Sequence, residues 1–365
     1  MSRLRPSIAL ALLVALIAGA GFAGCSSTNP YYAPEKIHHR PDGFVNSDGQ
    51  QVSKPFSMLL RWWRERWSQG LPAAPAQFVQ GYGGFEVRTP DVEMLRDNRT
   101  RTTVTWVGHA TLLVQVDGLN ILTDPHFSER AFPVQWMGPR RRVPPAMPLG
   151  ALPRIDLVVI SHNHYDHLDR DTVLALNRQP GGPPLFAVPL GVDLWMRDQG
   201  ISNVRRFDWW DMFRLPQLPG AELHFVPAKH WSSRTPFDRN TTLWGGWVLR
   251  TPGFSFYFAG DTGWSPADFE AIGARLGPFD LAAIPVGAYE PRWFMGEQHV
   301  DPTEAVLIHR AVRARRSVGI HWGAFELTDE PLDAPIGALP AALDAAGVPR
   351  EQFEVWKHGE TRVLR

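Results

Sequence analysis

The stretch SHNHYDHLD, at residues 161–169, constrains the fold and the chemistry of this chain more than any other feature. Three histidines and two aspartates directly follow the apolar run IDLVVI, which has the length and composition of a buried strand. His162 and His164 are two apart on an extended segment, so both rings can point to the same side. Asp166 and His167 follow where the chain turns toward a helix. Imidazoles and carboxylates in this pattern predict a site for zinc or a similar first-row metal.

These four residues can supply half of two metal sites, so further ligands must come from elsewhere in the chain. His230, Asp261 and His321 meet that requirement, because each ends a β-type apolar run and precedes small or turn residues. An aspartate between two cations commonly holds them about 3.5–4 Å apart. Asp261, together with a water, is therefore predicted to bridge two metals. The predicted sets are His162, His164 and His230 on one metal, and Asp166, His167 and His321 on the other.

From residue 102 onward the chain has the pattern of strands mixed with helices. Three short strands are predicted first, with a turn at Asp117-Gly118. Helices are predicted to begin at Ser265 and at Asp301, where Glu304 completes a capping-box pattern. Six further strands are predicted at 156–160, 185–189, 222–228, 243–250, 254–260 and 281–286. With the candidate ligands at strand ends, this order predicts an α/β fold in which two mixed sheets are flanked by helices.

The motif HxHxDH at 162–167 resembles the signature of the metallo-β-lactamase superfamily, whose αββα sandwich holds two metals between its sheets. Longer stretches, among them LTDPHFSERAFPVQWMGPRR, FAGDTGW and IHWGAFELTDEPL, resemble the N-acylphosphatidylethanolamine-hydrolysing phospholipase D family over about residues 55–365. The resemblance implies that fold, and two zinc ions, or other first-row divalent metals, on the seven predicted ligands. It also implies hydrolysis of N-acylphosphatidylethanolamine-like lipids to an N-acylethanolamine and phosphatidic acid.

For this reaction we expect a metal-bridging hydroxide to attack phosphorus, with Asp261 holding the metal pair and orienting the nucleophile. His299 is predicted to contact phosphate or to protonate the leaving alkoxide. The alternative is that it only lies behind the metal ligands or in the substrate pocket. His109, on a turn after a strand, is predicted either to support the metal ligands or to cap a strand. The segment EPRWFM is predicted to contact substrate, with a packed loop as the alternative; its candidate residues are Arg292, Trp293 and Phe294.

Another reaction on the same fold, that of a lactonase or thioesterase, is the main alternative. Neither needs a phosphate-binding arginine, so discrimination between the reactions needs substrates. A nuclease is disfavoured, since the chain has 37 basic and 37 acidic residues and nucleic-acid binding needs a basic face. A lipoprotein that only binds metal or lipid is also disfavoured. A structural zinc site is usually closed by four ligands, whereas this chain has seven candidate ligands. The expected partner is a phospholipid and not nucleic acid; the sequence leaves the oligomeric state open.

Residues 1–25 have a charged, then apolar, then small-residue pattern that predicts an export signal too short for a comfortable membrane span. Its end, AGC, resembles a bacterial lipobox in which Cys25 is lipidated, although Phe22 replaces the usual leucine. We therefore expect a lipid-anchored protein of the bacterial cell envelope that faces the periplasm. Plain cleavage of the signal, or an uncleaved anchor, is the alternative.

Residues 26–55 are rich in polar and turn residues and predict a tether with little core of its own, followed by the hydrolase domain at 56–365. The segment FSMLLRWWRERW, at 56–67, alternates aromatic and basic residues at roughly helical spacing. It predicts either a helix packed on the domain or an interfacial helix. In the second case the tryptophans would lie at the lipid headgroups and the arginines would meet phosphates of the membrane surface. The tryptophans are Trp62, Trp63 and Trp67, and the arginines are Arg61, Arg64 and Arg66.

Overall fold

The computed structural model describes residues 28–72 and 85–364, and the predicted export signal with Cys25 lies outside the described residues. Within those ranges the helices and strands are, in chain order, β1 His39–Arg40, β2 Gly43–Phe44, α1 Phe56–Gln69, α2 Val92–Asp97, β3 Thr103–Gly108, β4 Thr111–Val116, β5 Leu119–Thr123, β6 Leu157–Val159, α3 Arg170–Asn177, β7 Leu185–Pro189, α4 Val192–Asp198, β8 Val204–Phe207, β9 Met212–Arg214, β10 Glu222–Val226, β11 Gly246–Arg250, β12 Ser255–Phe258, α5 Pro266–Leu276, β13 Leu281–Pro285, α6 Arg292–Met295, α7 Pro302–Ala311, β14 Ser317–Ile320, α8 Ala334–Ala346, β15 Phe353–Glu354 and β16 Thr361–Val363.

Two seven-stranded sheets form the framework, with strand orders β16-β3-β4-β5-β6-β7-β8 and β15-β14-β13-β12-β11-β10-β9. Each sheet is antiparallel in its hairpin half and parallel in the other half, from β5 to β8 and from β12 to β15. Strand β6 shows how the layers pack: Leu157 and Val159 belong to the core shared with the second sheet, while Val158 packs with α3 and α4. Because both faces of β6 are buried, its sequence is a continuous apolar run. The predicted fold of two mixed sheets with helices is confirmed.

The local signals for turns and helix starts agree with the structure at most positions. The turn at Asp117-Gly118 joins β4 to β5, and both residues have positive φ, as a two-residue hairpin turn requires. The capping box before α7 is present, with Asp301 accepting from the Glu304 backbone and Glu304 accepting from the Asp301 backbone. Ser265 precedes α5 as predicted, but its hydroxyl donates to the Asp268 carboxylate and does not cap a backbone N–H.

The tether predicted from the polar composition is wrong for residues 28–55, which we call the N-terminal strap. The strap contains the β1–β2 hairpin, and its side chains Phe44, Val45 and Val52 are buried against the rest of the fold. Its polar residues also have distant partners, since two histidines and a lysine of the strap donate to the carboxylate of Asp208. The folded domain therefore includes the strap and begins before residue 56.

Helix α1 packs on the domain through one side, and its contact with a membrane surface stays a prediction. Trp62 packs on the domain: its ring stacks on Phe294 at 5.0 Å between centroids, and its indole N–H donates to Asp329. Trp63 and Trp67 instead stand 43% and 88% exposed. A helix long and apolar enough to cross a bilayer is not found among the residues that the structure describes.

Candidate metal centre

Strand ends from both sheets deliver the predicted ligands to one place. His162, His164, Asp166 and His167 follow β6, His230 follows β10, Asp261 follows β12 and His321 follows β14. The two sheets are joined beside these ends, because the Trp247 indole donates to the Ile160 carbonyl and the Gly245 backbone donates to the Ser161 carbonyl. A crevice outside the carboxyl ends of strands is the usual place for a site in α/β folds.

The first cluster is built from three imidazoles. His164 Nδ1 lies 2.8 Å from His162 Nε2 and 3.3 Å from His230 Nε2. Nitrogens bound at about 2.0–2.1 Å to one tetrahedral zinc lie about 3.4 Å from each other, so these separations fit a shared cation. The Gln298 carbonyl accepts from His230 Nδ1 at 2.9 Å, which leaves the lone pair of Nε2 facing the cluster.

The second cluster gathers around the Asp166 carboxylate. Its Oδ2 lies 3.2 Å from His321 Nε2, 3.3 Å from His167 Nε2 and 3.0 Å from His109 Nε2. The Asp124 carboxylate accepts from His167 Nδ1 at 2.7 Å, so Nε2 of that ring is turned toward the cluster. His109 therefore contacts a predicted ligand, which is the supporting position predicted for it.

Asp261 lies between the two clusters. Its Oδ2 is 3.1 Å from His167 Nε2 and 3.8 Å from His230 Nε2, and its Oδ1 is 3.3 Å from His321 Nε2. One carboxylate thus faces ligands of both predicted metals, as a bridging role requires. Occupancy by metal, and the role of each ligand, stay predictions.

The residues present fit a divalent cation on two further grounds. His167 Nε2 and Asp261 Oδ1 are buried and have no hydrogen-bond partner in the described part of the chain. Buried polar groups of native proteins are nearly always satisfied, so orphaned atoms of this kind indicate a missing partner such as an ion. The donor set of imidazole nitrogens and carboxylate oxygens is also the set that zinc and similar metals prefer.

The electrostatics of the centre favour the protonation state that metal ligands need. Burial lowers the pKa of His162 and His164 well below the usual range, and that of His230 to about 4. These rings are therefore neutral at pH 7, with a lone pair available. Burial opposes ionisation of Asp261, but the neighbouring His167 and His321 hold its pKa well below the usual range.

His167 is the exception among the ligand histidines. Burial alone lowers its pKa, but the carboxylates of Asp261 and Asp166, with a hydrogen bond to Asp124, raise it well above the usual range. A bound cation would compete with a proton for Nε2 of this ring, because metal binding displaces protons from its ligands.

The backbone is strained at three residues that point at the centre. His109, Asp124 and His321 have φ of 55°, 31° and 62°, in or near the left-handed region that favours glycine. Such conformations cost of order 1–3 kcal/mol each and persist where the surroundings enforce them, often at functional sites. The His321 N–H donates to the His109 carbonyl at 3.0 Å. This hydrogen bond holds the backbones of these two residues together.

Asp124 is the functional residue that sequence reasoning missed. Its carboxylate is fully buried and accepts from the Ser161 backbone, the Ser161 hydroxyl and His167 Nδ1 at 2.5–2.7 Å. It therefore orients the predicted ligand His167 and fixes Ser161, the residue that precedes the histidine stretch. A signal was present, because Asp124 ends the run NILTD just as Asp261 ends FYFAGD.

His299 lies at the edge of the centre, and its role in the reaction stays a prediction. Its Nδ1 is 4.0 Å from Asp261 Oδ2, and its ring centroid is 5.2 Å from that of His230 and 5.5 Å from that of His321. Burial lowers the pKa of His299 to about 3. Nδ1 is buried without a hydrogen-bond partner among the described residues, so it is available to a bound group.

Two of the three residues predicted to contact substrate make contacts within the protein instead. The guanidinium of Arg292 donates to Glu304 at 2.6 Å and to the His299 carbonyl at 2.7 Å, so we revise its role to holding the His299 turn. Phe294 is buried against Trp62 of α1, which corresponds to the packed-loop alternative. Trp293 remains partly exposed, with the Arg61 guanidinium 4.0 Å from its ring centroid, and its contact with an acyl chain stays a prediction.

Comparisons with known proteins show the family to which this chain belongs. Residues 119–322 match the family described as the beta-lactamase superfamily domain. N-acyl-phosphatidylethanolamine-hydrolyzing phospholipase D 1 of Caenorhabditis elegans is 38% identical over 318 residues, which cover 85% of this chain and 87% of that protein. The chain belongs to the N-acylphosphatidylethanolamine-hydrolysing phospholipase D family.

More distant similarities agree on fold and broad chemistry. A metal-dependent hydrolase of Nitratidesulfovibrio vulgaris is 30% identical over 234 residues, 63% of this chain and 84% of that protein. The crystal structure of an isothiocyanate hydrolase from Delia radicum gut bacteria superposes with a TM-score of 0.57 at 20% identity, over 72% of this chain and 98% of the other, and shows the fold alone. This family member is a metal-dependent hydrolase of the metallo-β-lactamase fold.

Proposed function

We propose that the protein is a phospholipase D-type phosphodiesterase. It hydrolyses N-acylphosphatidylethanolamine-like phospholipids to an N-acylethanolamine and phosphatidic acid and uses two zinc ions. The observation that carries the proposal is the pair of ligand clusters with the Asp261 carboxylate between them. The similarity to a relative named for this activity, over 85% of the chain, supports the substrate class.

Each residue of the centre has a definite task in this proposal. His162, His164 and His230 hold one cation, and Asp166, His167 and His321 hold the other. When bound, two such cations lower the pKa of a water toward neutrality and offset the charge of a phosphodiester. Asp261 lies between the two clusters and fixes the distance between them. His299, neutral and with an unpartnered Nδ1, donates to or accepts from the phosphate group at the edge of the centre.

The membrane surface is the proposed partner of α1. Phe56, Leu60 and Trp67 leave a large apolar surface exposed on a helix that also carries arginines. Aromatic and aliphatic side chains beside basic ones suit the headgroup region of a bilayer. Trp62 joins α1 to Phe294 of α6, only five residues before His299. Docking of α1 would therefore bring a phospholipid surface close to the metal centre.

The proposed location is the bacterial cell envelope, with Cys25 as the lipidated residue. The strap supports a close approach to the membrane, because it is packed from residue 29 onward and leaves little chain between the fold and Cys25. The four chain steps from Cys25 to Asn29 reach about 14 Å at most when extended. Export, lipidation and periplasmic orientation together form this part of the proposal.

A lactonase or thioesterase is the second candidate, and one observation favours it. Arg292, the arginine predicted for substrate, is already engaged by Glu304 and the His299 carbonyl, so no free guanidinium is assigned to phosphate there. The two candidates differ in the bond they break, so substrates decide between them.

The test is to offer the metal-loaded protein a panel of phospholipids in mixed vesicles, together with a lactone and a thioester. We expect N-acylphosphatidylethanolamine to yield N-acylethanolamine and phosphatidic acid, resolved by mass spectrometry. The Asp261→Ala variant should release neither product. His309→Ala is the matched control, because His309 is buried on α7 and bonds to Ser317, away from the centre. Turnover of the lactone or thioester without phospholipid cleavage would establish the second candidate.

A further inference from the structure

The N-terminal strap enters the wall of the metal centre through one buried side chain. Asn46 is 2% exposed, and its Oδ1 accepts from two donors at 3.0 Å, the backbone N–H of His230 and the indole N–H of Trp244. Trp244 also donates to the Ala228 carbonyl, two residues before His230. One amide oxygen thus links the strap to the segment that carries a predicted metal ligand.

This contact decides where the His230 ring can lie. The ring is fixed at Nδ1 by the Gln298 carbonyl, and its backbone is fixed by Asn46. Because the backbone and Nδ1 of His230 are both held, Nε2 of its ring points toward His162 and His164. Without the Asn46 oxygen, the buried His230 N–H loses its partner, and the segment must shift to satisfy it.

A second contact locks the strap to the loop that follows His230. The Phe44 N–H donates to the Asn240 carbonyl at 2.8 Å, and Asn240 in turn exchanges hydrogen bonds with Ser232. The strap can approach so closely because residue 43 is glycine: a Cβ there would lie 2.2 Å from the Asn240 carbonyl oxygen. The strap and the 230–240 segment therefore form one packed unit.

The strap is itself anchored by Asp208, which directly follows β8. His38 and His39 donate to its two carboxylate oxygens at 2.7 and 2.9 Å, and the Lys36 ammonium lies 2.5 Å from one of them. Because a lysine cation already neutralises the carboxylate, this group acts as a clamp and not as a further metal site. The clamp presents Asn46 to His230 in a fixed position.

We propose that Asn46 is a positioning residue of the metal centre and that the strap contributes to metal binding there. It acts through His230 and not on the substrate. The inference rests on the proposed role of His230 as a ligand. Removal of a partner that orients a ligand typically lowers metal affinity about 10- to 100-fold. Asn46 holds the backbone and not the ring, so we expect about tenfold.

The experiment measures zinc affinity of the full chain by competition with a chromogenic chelator. Asn46→Ala should bind about tenfold more weakly than wild type. Asn46→Asp should bind as tightly as wild type or more tightly, because a carboxylate oxygen accepts the same two bonds. Asn98→Ala is the matched control, a buried asparagine whose partners, Thr103 and Gln115, lie away from the strap, and its zinc affinity should be unchanged.

Two outcomes would overturn the inference: wild-type affinity in Asn46→Ala, or an Asn46→Asp variant as weak as Asn46→Ala. Thermal unfolding with excess chelator shows that each variant is folded before zinc is added. His230→Ala separates this inference from the proposed function. If His230→Ala also keeps wild-type affinity, the ligand assignment has failed; if it loses zinc while Asn46→Ala does not, only the role of the strap has failed.

Discussion

Replacing Asp208 by asparagine should loosen the strap without touching the metal ligands. The carboxylate is nearly buried and accepts from Lys36, His38, His39 and the Trp209 backbone. An asparagine presents one NH₂ group where these donors need an acceptor. Breaking a buried ion pair costs about 3–5 kcal/mol. Since Lys36 is 40% exposed and its charge is screened, we expect a loss of about 2–3 kcal/mol in the free energy of unfolding.

The pH dependence of this loss has a definite sign. Burial raises the pKa of Asp208, but hydrogen bonds from His38 and Lys36 outweigh it and hold the pKa well below the usual range. A depressed carboxyl pKa stabilises the fold above the unfolded-state value of about 4, and that contribution is lost as the pH falls further. The difference between wild type and Asp208→Asn should therefore be constant from about pH 5 upward and shrink below about pH 4.

Chemical denaturation at pH 7, 5 and 3.5, with chelator present in every sample, measures this difference without a contribution from bound metal. The control is Asp344→Asn, which removes only an exposed pair with Arg350 and should not change the unfolding midpoint measurably. Two results would refute the reasoning: a variant as stable as wild type at pH 7, or a difference that grows as the pH falls.

Three further predictions concern the centre and the location. His299→Ala should keep its metal and lose activity to a similar extent on the natural lipid and on a nitrophenyl phosphodiester, if His299 contacts phosphate; a much smaller loss on the nitrophenyl substrate would instead identify a proton donor to the leaving alkoxide. His162→Ala and Asp261→Ala should lose most bound metal and activity, and metal content near two per chain in both variants would contradict the ligand assignment. Cys25→Ser should move the protein from the membrane fraction to the soluble periplasm or leave it unprocessed; unchanged mature mass and fractionation would rule out lipidation.

The location of the centre was predictable because its signals are local. The spacing of His162 to His167 places four ligand side chains on one strand end, and the ends of other apolar runs supplied the remaining candidates. The capping box of Asp301 and Glu304 and the turn at 117–118 were predictable for the same reason. In the capping box and the turn, the residues that interact are within a few positions of one another, so the pattern and the contact coincide. His230, Asp261 and His321 lie far from His162–His167 in sequence and were predictable only because each follows a strand-like apolar run.

Contacts across the chain were not predictable in this way. Asn46 lies 184 residues from His230, and the strap histidines lie about 170 residues from Asp208, so composition alone made the strap look like a tether. Arg292 was taken for a substrate contact because nothing near it in sequence shows that Glu304 and a carbonyl occupy its guanidinium.

By itself, then, the sequence determined the types of the candidate ligands, their attachment to strand ends and the class of fold, because hydrophobic periodicity and local hydrogen bonding act over a few residues. Only the tertiary structure decided which face of α1 is buried, that Asp124 orients His167, and that Asn46 of the strap contacts His230. Those outcomes depend on which distant surfaces meet when the two sheets close on each other. From sequence alone a polar side chain is expected to face solvent, because the buried group to which it bonds is not known.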